Sequence, residues 1–115
     1  GSWERTLSPD PVLLFRFSAL TFNGHRIHYD RPYAVEEESY PGLLVHAPLM
    51  TILLLELLRD NSEKRVRTAE FKALYPVFDS MPLRLSALTS GDNEMTLKAE
   101  RCDGVTALSG NVVLE

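Results

Sequence analysis

The sequence has 115 residues, of which 24% are charged and 44% hydrophobic, with a formal net charge of −4 and a pI of about 5.4. A chain of this length can bury roughly 65% of its unfolded surface, so we expect one domain with its own hydrophobic core. Acidic and basic residues are mixed along the chain without a basic stripe, which argues against a nucleic-acid partner.

A single cysteine, Cys102, cannot pair within the chain, which favours a reducing compartment. The longest apolar run, residues 43–58, is interrupted by polar residues and is too short to cross a bilayer. No signal peptide opens the chain, so we expect a cytoplasmic protein with no membrane partner. Gly1 and Ser2 resemble the scar of an expression tag, and the predicted domain is therefore residues 3–115.

The first half of the chain is predicted to be helical. Asp10 followed by Pro11 is typical of a helix start, with an acceptor at the cap and proline at the first helical position. This predicts a helix from Pro11 to about Leu20, although alternation at residues 15–18 leaves a strand open. Residues 32–37 are predicted to form one or two helical turns.

Residues 49–58 are predicted to form the main helix, whose apolar residues surround nearly the whole circumference and so need cover on most sides. Glu56 could face a partner, cap a strand edge or approach a site. Beyond residue 63, alternation predicts strands at 65–75, 83–89, 95–102 and 105–114, with a hairpin turn at 90–93 and Cys102 packed inertly in a strand. An antiparallel sheet wrapped round one helix is the α+β hotdog fold.

Residues 22–30, Phe-Asn-Gly-His-Arg-Ile-His-Tyr-Asp, form an unusually polar stretch between the two predicted helices. Nearly every side chain there can donate, accept or carry a proton, and the Gly, Pro and Ser residues of an ordinary surface loop are few. The composition indicates a reaction site.

This stretch resembles the hallmark run of the MaoC-like hotdog hydratases and dehydratases, enzymes that add water to acyl thioesters or remove it. In that family the run is Gly-Asp-x-Asn-Pro-Ile-His, and its Asp and His hold the reacting water. Ile27 and His28 match the run, whereas Asn23 takes the Asp place, His25 the Asn place and Arg26 the Pro place.

The altered run, with residues 15–34 and 40–49, resembles the branch of mesaconyl-C4-CoA hydratases and mitochondrial-type 3-hydroxyacyl-thioester dehydratases, with itaconyl-CoA hydratase-like proteins nearby. Many relatives carry two hotdogs in one polypeptide, with a run like this one in the second. The resemblance therefore implies either a separately encoded subunit or half of a longer protein.

The resemblance implies that His28 is the general acid and base, since an imidazole takes and returns a proton near neutral pH. Asn23 cannot titrate, but its amide can hold the water. By resemblance to the family's His-Gly pair, the N–H of Ala47 would stabilise the oxyanion at the start of the main helix, because the following Pro48 has no N–H.

Four further residues are candidates for substrate binding. His25 could be a second acid or base, a holder of Asn23, or an exposed loop residue. Arg26 and Tyr29 could bind a polar acyl end or a phosphate, or lie in solvent, and His46 could line the pocket or pack beside the helix start. His25 and His28 share a metal-like spacing but lack a third ligand, so we expect no metal site.

The sequence thus predicts a hydro-lyase that acts on enoyl thioesters carried by coenzyme A or an acyl carrier protein, without a metal or redox cofactor. A single hotdog leaves an exposed sheet edge and half a pocket, so we expect a homodimer or a second hotdog subunit. Two alternatives stay open: a hotdog thioesterase, and a non-catalytic hotdog subunit that completes the site of a partner.

Overall fold

A computed structural model describes residues 2–79 and 81–115 of the protein. Five strands form one antiparallel sheet in the order β1-β3-β4-β5-β2, so β1 and β2 are its edges. The strands are β1 (Ser2–Leu7), β2 (Val66–Ala73), β3 (Leu83–Gly91), β4 (Glu94–Arg101) and β5 (Thr106–Leu114). Helices α1 (Pro11–Leu20) and α2 (Ala47–Asn61) flank a 3₁₀ turn at Arg26–His28 and a π-helical turn at Tyr33–Glu37.

Aspartate side chains accept hydrogen bonds from the backbone near the start of α1 and of the π-helical turn. Asp10 accepts a hydrogen bond from the N–H of Leu13 at 2.7 Å, which fixes the start of α1. Asp30 accepts one from the N–H of Tyr33 at 3.2 Å, just before the π-helical turn. The predicted helical segments are confirmed, and the alternative of a strand near residue 16 is wrong.

Helix α2 buries one face against the sheet and leaves the opposite face partly uncovered. Its inner face packs on β1, β3, β4 and β5, whereas Ile52 on the outer face is 50% exposed. The cover predicted for most of the helix is therefore incomplete in a single chain. Glu56 has a structural role, because Arg5 of β1 lies 3.5 Å from it and 2.8 Å from Asp60 one turn later. The buried residues of α2 are Leu49, Met50, Leu54, Leu57 and Leu58.

The sheet contains one strand more than the alternation predicted. Strand β1 pairs with β3 from Ser2 opposite Leu88 onwards, so Ser2 takes part in the sheet; the tag scar at residues 1–2 stays a prediction, and Gly1 lies outside the described residues. In β4 the predicted inward side is confirmed, since Met95, Leu97 and Ala99 are buried. The prediction for Cys102 is wrong: it lies in the turn after β4 and is exposed.

Strand β2 is an edge strand in which only Phe71 is partly buried. The Phe71 ring lies against Gly110 of β5, where a Cβ would overlap it. Among the described residues, neither helix is both long and apolar enough to cross a membrane. The fully buried core lies between α2 and β3, β4 and β5, and includes Leu54, Leu58, Leu83, Leu85, Leu97, Leu108 and Val112.

Candidate active site

His28 ends the 3₁₀ turn and is only 7% exposed. Its Nδ1 lies 2.7 Å from the carbonyl oxygen of Leu44. Because a carbonyl oxygen can only accept a hydrogen bond, Nδ1 carries the proton, and Nε2 is the basic nitrogen of the neutral ring. The N–H of Leu44 donates in turn to the carbonyl of Ile27 at 2.9 Å, which ties the two segments together. The His28 ring is thereby held in the tautomer that a general base needs.

The environment of His28 favours its neutral form. Burial lowers the pKa of His28 below its ordinary value of 6.5, the hydrogen bond with Leu44 acts in the opposite direction, and the charge that His25 can carry lowers the pKa further. The exposed His25 ring lies edge-on, with its centroid 6.0 Å from that of His28. At pH 7 His28 is therefore able to accept a proton.

His46 lies directly against His28, with ring centroids 3.7 Å apart and 16° between the ring planes. It is the cap residue of α2 and is 2% exposed. Its Nε2 is 2.8 Å from Oγ of Ser18 on α1, and Phe17 packs edge-on against it at 4.8 Å. Burial, and then the charge that His28 can carry, lowers the pKa of His46 to about 4, so this ring is also neutral at pH 7.

A cavity of about 300 Å³ connects His28 with Ala47, the first residue of α2. The N–H of Ala47 has no acceptor among the residues that the structure describes, as is usual in the first turn of a helix. The cavity therefore combines a neutral imidazole with a free N–H at the positive end of a helix dipole. Its remaining walls are Leu44, Val45, Met50, Ala73, Leu74, Tyr75 and Pro76.

Asn23 lies outside the cavity that contains His28. Its Oδ1 accepts a hydrogen bond from the N–H of His25 at 3.1 Å, and its Nδ2 has no partner within the described part of the chain. The side chain lines a second cavity of about 350 Å³, next to α1. Asn23 and His28 are thus not brought to one cavity in a single chain. The second cavity is lined by Phe15, Ser18, Ala19, Phe22, Asn23, Gly24 and Tyr29.

Arg26 and Tyr29 make their polar contacts within the loop itself. Arg26 forms an ion pair with Asp30 at 2.8 Å, and its guanidinium lies 4.3 Å from the centre of the Tyr33 ring. The hydroxyl of Tyr29 donates to the carbonyl of Gly24 at 3.0 Å. These contacts hold the shape of the loop between α1 and the π-helical turn.

Sequence reasoning missed two residues of the site, Ser18 and Leu44. Ser18 is a lone serine in an apolar helix, and only its 2.8 Å contact with His46 reveals its position. Leu44 acts through its backbone carbonyl, which the residue type does not signal. No three His, Cys, Asp or Glu side chains are arranged to hold a metal ion within residues 2–79 and 81–115.

The fold and the site together define an α+β domain in which one neutral histidine lines a cavity at the start of a helix. The family model of hydroxyacyl-thioester dehydratase type 2 matches residues 1–79, and the chain belongs to this family. The predicted resemblance is therefore confirmed.

Two curated relatives are similar to the chain. Mesaconyl-C(4)-CoA hydratase of Chloroflexus aurantiacus is 56% identical over 110 residues, which are 96% of this chain and 39% of that protein. The mitochondrial hydroxyacyl-thioester dehydratase type 2 of Schizosaccharomyces pombe is 38% identical over 94 residues, which are 79% of this chain and 31% of that protein. The chain therefore spans well under half the length of both relatives.

The fold is shared with solved structures. An (R)-hydratase from A. caviae involved in PHA biosynthesis superimposes with a TM-score of 0.86, covering 100% of this chain and 93% of that chain at 18% identity. This confirms the predicted hotdog fold.

Proposed function

We propose that this chain is a hydro-lyase domain that adds water across the α,β double bond of an acyl thioester, or removes it. The observation that carries the proposal is the cavity lined by both His28, whose basic nitrogen is Nε2, and Ala47, whose N–H is free. The names of the two curated relatives, a hydratase and a dehydratase, support it. Coenzyme A or an acyl carrier protein would carry the acyl group.

In the proposed reaction His28 moves both protons. Nε2 takes a proton from water while the water oxygen bonds to the β-carbon, and the electrons of the double bond shift towards the thioester oxygen. The N–H of Ala47 donates a hydrogen bond to that oxygen, where the negative charge grows. The imidazolium of His28 then gives its proton to the α-carbon, and dehydration follows the same steps in reverse. Because these groups supply the proton transfers and the charge stabilisation, the proposal includes no metal or redox cofactor.

The proposed role of Asn23 is to hold the water through its free Nδ2 amide. Its place in the neighbouring cavity means that the role requires the substrate or a partner subunit to join the two cavities. His25 is proposed to meet the substrate at the exposed rim of the site. For Arg26 and Tyr29 the contacts within the loop support a role in shaping the binding surface.

A second hotdog, either an identical chain or another domain of a longer polypeptide, is proposed to pair with β2 and the outer face of α2. A groove of about 430 Å³ runs between these two elements, bordered by Leu55 of α2 and Val66 and Ala69 of β2. The unpaired N–H and C=O groups of an edge strand favour pairing with another strand. The exposed thiol of Cys102 supports a reducing compartment such as the cytoplasm.

The proposal is tested by incubating the protein with short branched and dicarboxylic enoyl-CoA compounds and identifying the products by mass. Loss of enoyl absorbance without release of free thiol is the expected result. Release of free thiol would instead show a thioesterase, and absence of turnover at any protein concentration would contradict both activities.

The role of His28 is tested with His28→Ala, which we expect to lower kcat by roughly 10²- to 10⁴-fold. Circular dichroism and a urea unfolding curve of the variant check that it is folded. A non-catalytic subunit that only completes a partner's site would keep full activity in the complex after this substitution.

A further inference from the structure

His46 and Ser18 form a buried connection that the proposed reaction does not use. From Ser18 on α1, the hydrogen bond of 2.8 Å leads to His46 at the start of α2. From His46, the ring stack at 3.7 Å leads to His28, which is bonded to the carbonyl of Leu44. Three separate elements, α1, the 3₁₀ turn and α2, are joined at the proposed base.

We propose that His46, oriented by Ser18, is a positioning residue that fixes the plane of the His28 ring and contacts no substrate. This inference rests on the proposed function of His28. The hydrogen bond at Nδ1 of His28 fixes one point of the ring but still allows the ring to tilt about that bond. A flat partner stacked at 16° removes this freedom and directs Nε2 to one place.

The position of His46 argues against direct substrate binding, the role considered from the sequence. The residue is 2% exposed and is not part of the wall of the cavity that contains His28 and Ala47. Its only hydrogen-bond partner in the described chain is Ser18, which does not line that cavity either. Substrate in the cavity would meet His28 first.

The unpaired Nδ1 of His46 identifies its tautomer. If Nε2 carries the proton and donates to Oγ of Ser18, Nδ1 is a bare acceptor near the positive start of α2. The opposite tautomer would bury an N–H group without an acceptor, which is less favourable. The Nε2–H tautomer therefore holds the ring in a fixed orientation. A second proton on Nδ1 would have no hydrogen-bond acceptor among the described residues. His46 stays neutral while His28 gains and loses its proton.

The inference is tested kinetically with Ser18→Ala, His46→Ala and His46→Phe. Misplacing a catalytic group lowers kcat, and we expect Ser18→Ala and His46→Ala to reduce it about 10- to 100-fold with KM changed less than about twofold. His46→Phe keeps a flat ring against His28 and should recover part of the loss of His46→Ala. Ser86→Ala is the matched control, because Ser86 is also a buried serine but lies on β3.

A second readout needs no substrate. Long-range ¹H–¹⁵N spectra of the histidine rings at neutral pH should show the Nδ1–H tautomer for His28 and the Nε2–H tautomer for His46. In Ser18→Ala the His46 signals should lose their single-tautomer pattern and those of His28 should shift, whereas Ser86→Ala should change neither.

The inference is overturned if Ser18→Ala and His46→Ala leave the His28 signals unchanged, or if either variant acts mainly on KM. These results are separate from the failure of the proposed function. If the wild-type chain converts no enoyl thioester, the proposed function fails, and the spectra still decide whether His46 and Ser18 position His28.

Discussion

The rings of His28 and His46 are stacked with their centroids 3.7 Å apart, although each ring could carry a positive charge. At an effective dielectric constant near 20, two such charges would repel each other by roughly 4 kcal/mol. The pKa of His46, lowered to about 4, means that the pair carries at most one added proton near neutral pH. Near neutral pH only one of the two stacked rings, His28, can therefore gain a proton.

The stability of the fold should decrease as the pH falls from about 6.5 to about 4. In the unfolded chain both histidines titrate near ~6.5, whereas in the folded chain the pKa of His28 is lowered and that of His46 is about 4. The unfolded state therefore binds more protons in this interval, so the stabilisation present above pH 6.5 is lost on acidification. Urea unfolding curves across the interval measure the effect.

His46→Phe is the control for this pH dependence, because it removes the titrating group and keeps a ring at the position. The unfolding free energy of the variant should vary less with pH between about 6.5 and about 4. The carboxyl groups of Asp30 and Asp103, whose pKa values are lowered by Arg26 and Arg101, contribute only below about pH 5, at the acidic end of the interval and beyond it. A wild-type curve that is flat in the interval would contradict the assignment of two buried neutral histidines.

Ala47→Pro should remove the oxyanion donor without destroying the helix. Proline is tolerated at the first helical position, and His46 before it already has an extended backbone with φ −67° and ψ 133°. Loss of one such donor typically lowers kcat by about 10²- to 10³-fold. Steady-state kinetics with an enoyl-CoA measures the change.

Ala47→Gly is the matched variant for this test, because it keeps the N–H and removes only a methyl group. We expect kcat of Ala47→Gly to stay within about tenfold of the wild type, well above that of Ala47→Pro. Equal activity of the two variants would show that the N–H of residue 47 does not stabilise the transition state.

Asn23→Ala tests whether the cavity that contains Asn23 contributes to the reaction proposed at His28. If Asn23 holds the reacting water, removing its amide should lower kcat about tenfold or more, since a positioned hydrogen bond is lost from the transition state. Asn23→Asp, which restores the residue type of the MaoC-like run, should keep more activity than Asn23→Ala. Unchanged kcat in Asn23→Ala would leave His28 as the only side chain that handles the water.

Gly110→Ala should destabilise the fold by about 1–3 kcal/mol, because the new Cβ overlaps the ring of Phe71 on the neighbouring strand. Gly24→Ala is the control, since no atom lies within 4 Å of a Cβ there and its expected change is within about 0.5 kcal/mol. Urea unfolding measures both. If the double variant Gly110→Ala, Phe71→Leu is no more stable than Gly110→Ala, the explanation by overlap is wrong.

Local signals in the sequence predicted most of the elements. The cap at Asp10 predicted the start of α1, and the alternation of Met95, Leu97 and Ala99 predicted the inward side of β4, because both depend on neighbouring residues only. Strand β1 was missed because its stability comes from pairing with β3. Leu7 pairs with Leu83, so the partner strand lies more than 75 residues further along the chain. The amino-acid pattern of so short a segment does not reveal a pairing partner that is distant in the sequence.

The site was predictable in its chemistry but not in its geometry. Residues 22–28 indicated where the proposed acid–base group lies, because polar and titrating residues concentrate there. The separation of Asn23 and His28 into two cavities depends on the backbone just before Asn23, where Phe22 has φ 55°, and on the 3₁₀ turn that ends at His28. The contact of Ser18 with His46 depends on the packing of α1 against the start of α2, which no local pattern encodes.

The wall of the His28 cavity formed by residues 73–76 continues directly from the edge strand β2, which pairs only with β5 among the described strands. A strand added at that edge, as proposed for a second hotdog, would lie next to this wall of the cavity. If that second hotdog is another copy of this chain, turnover per molecule would rise with protein concentration and decline on dilution. The concentration at which turnover is half-maximal would then follow the dissociation constant of self-association.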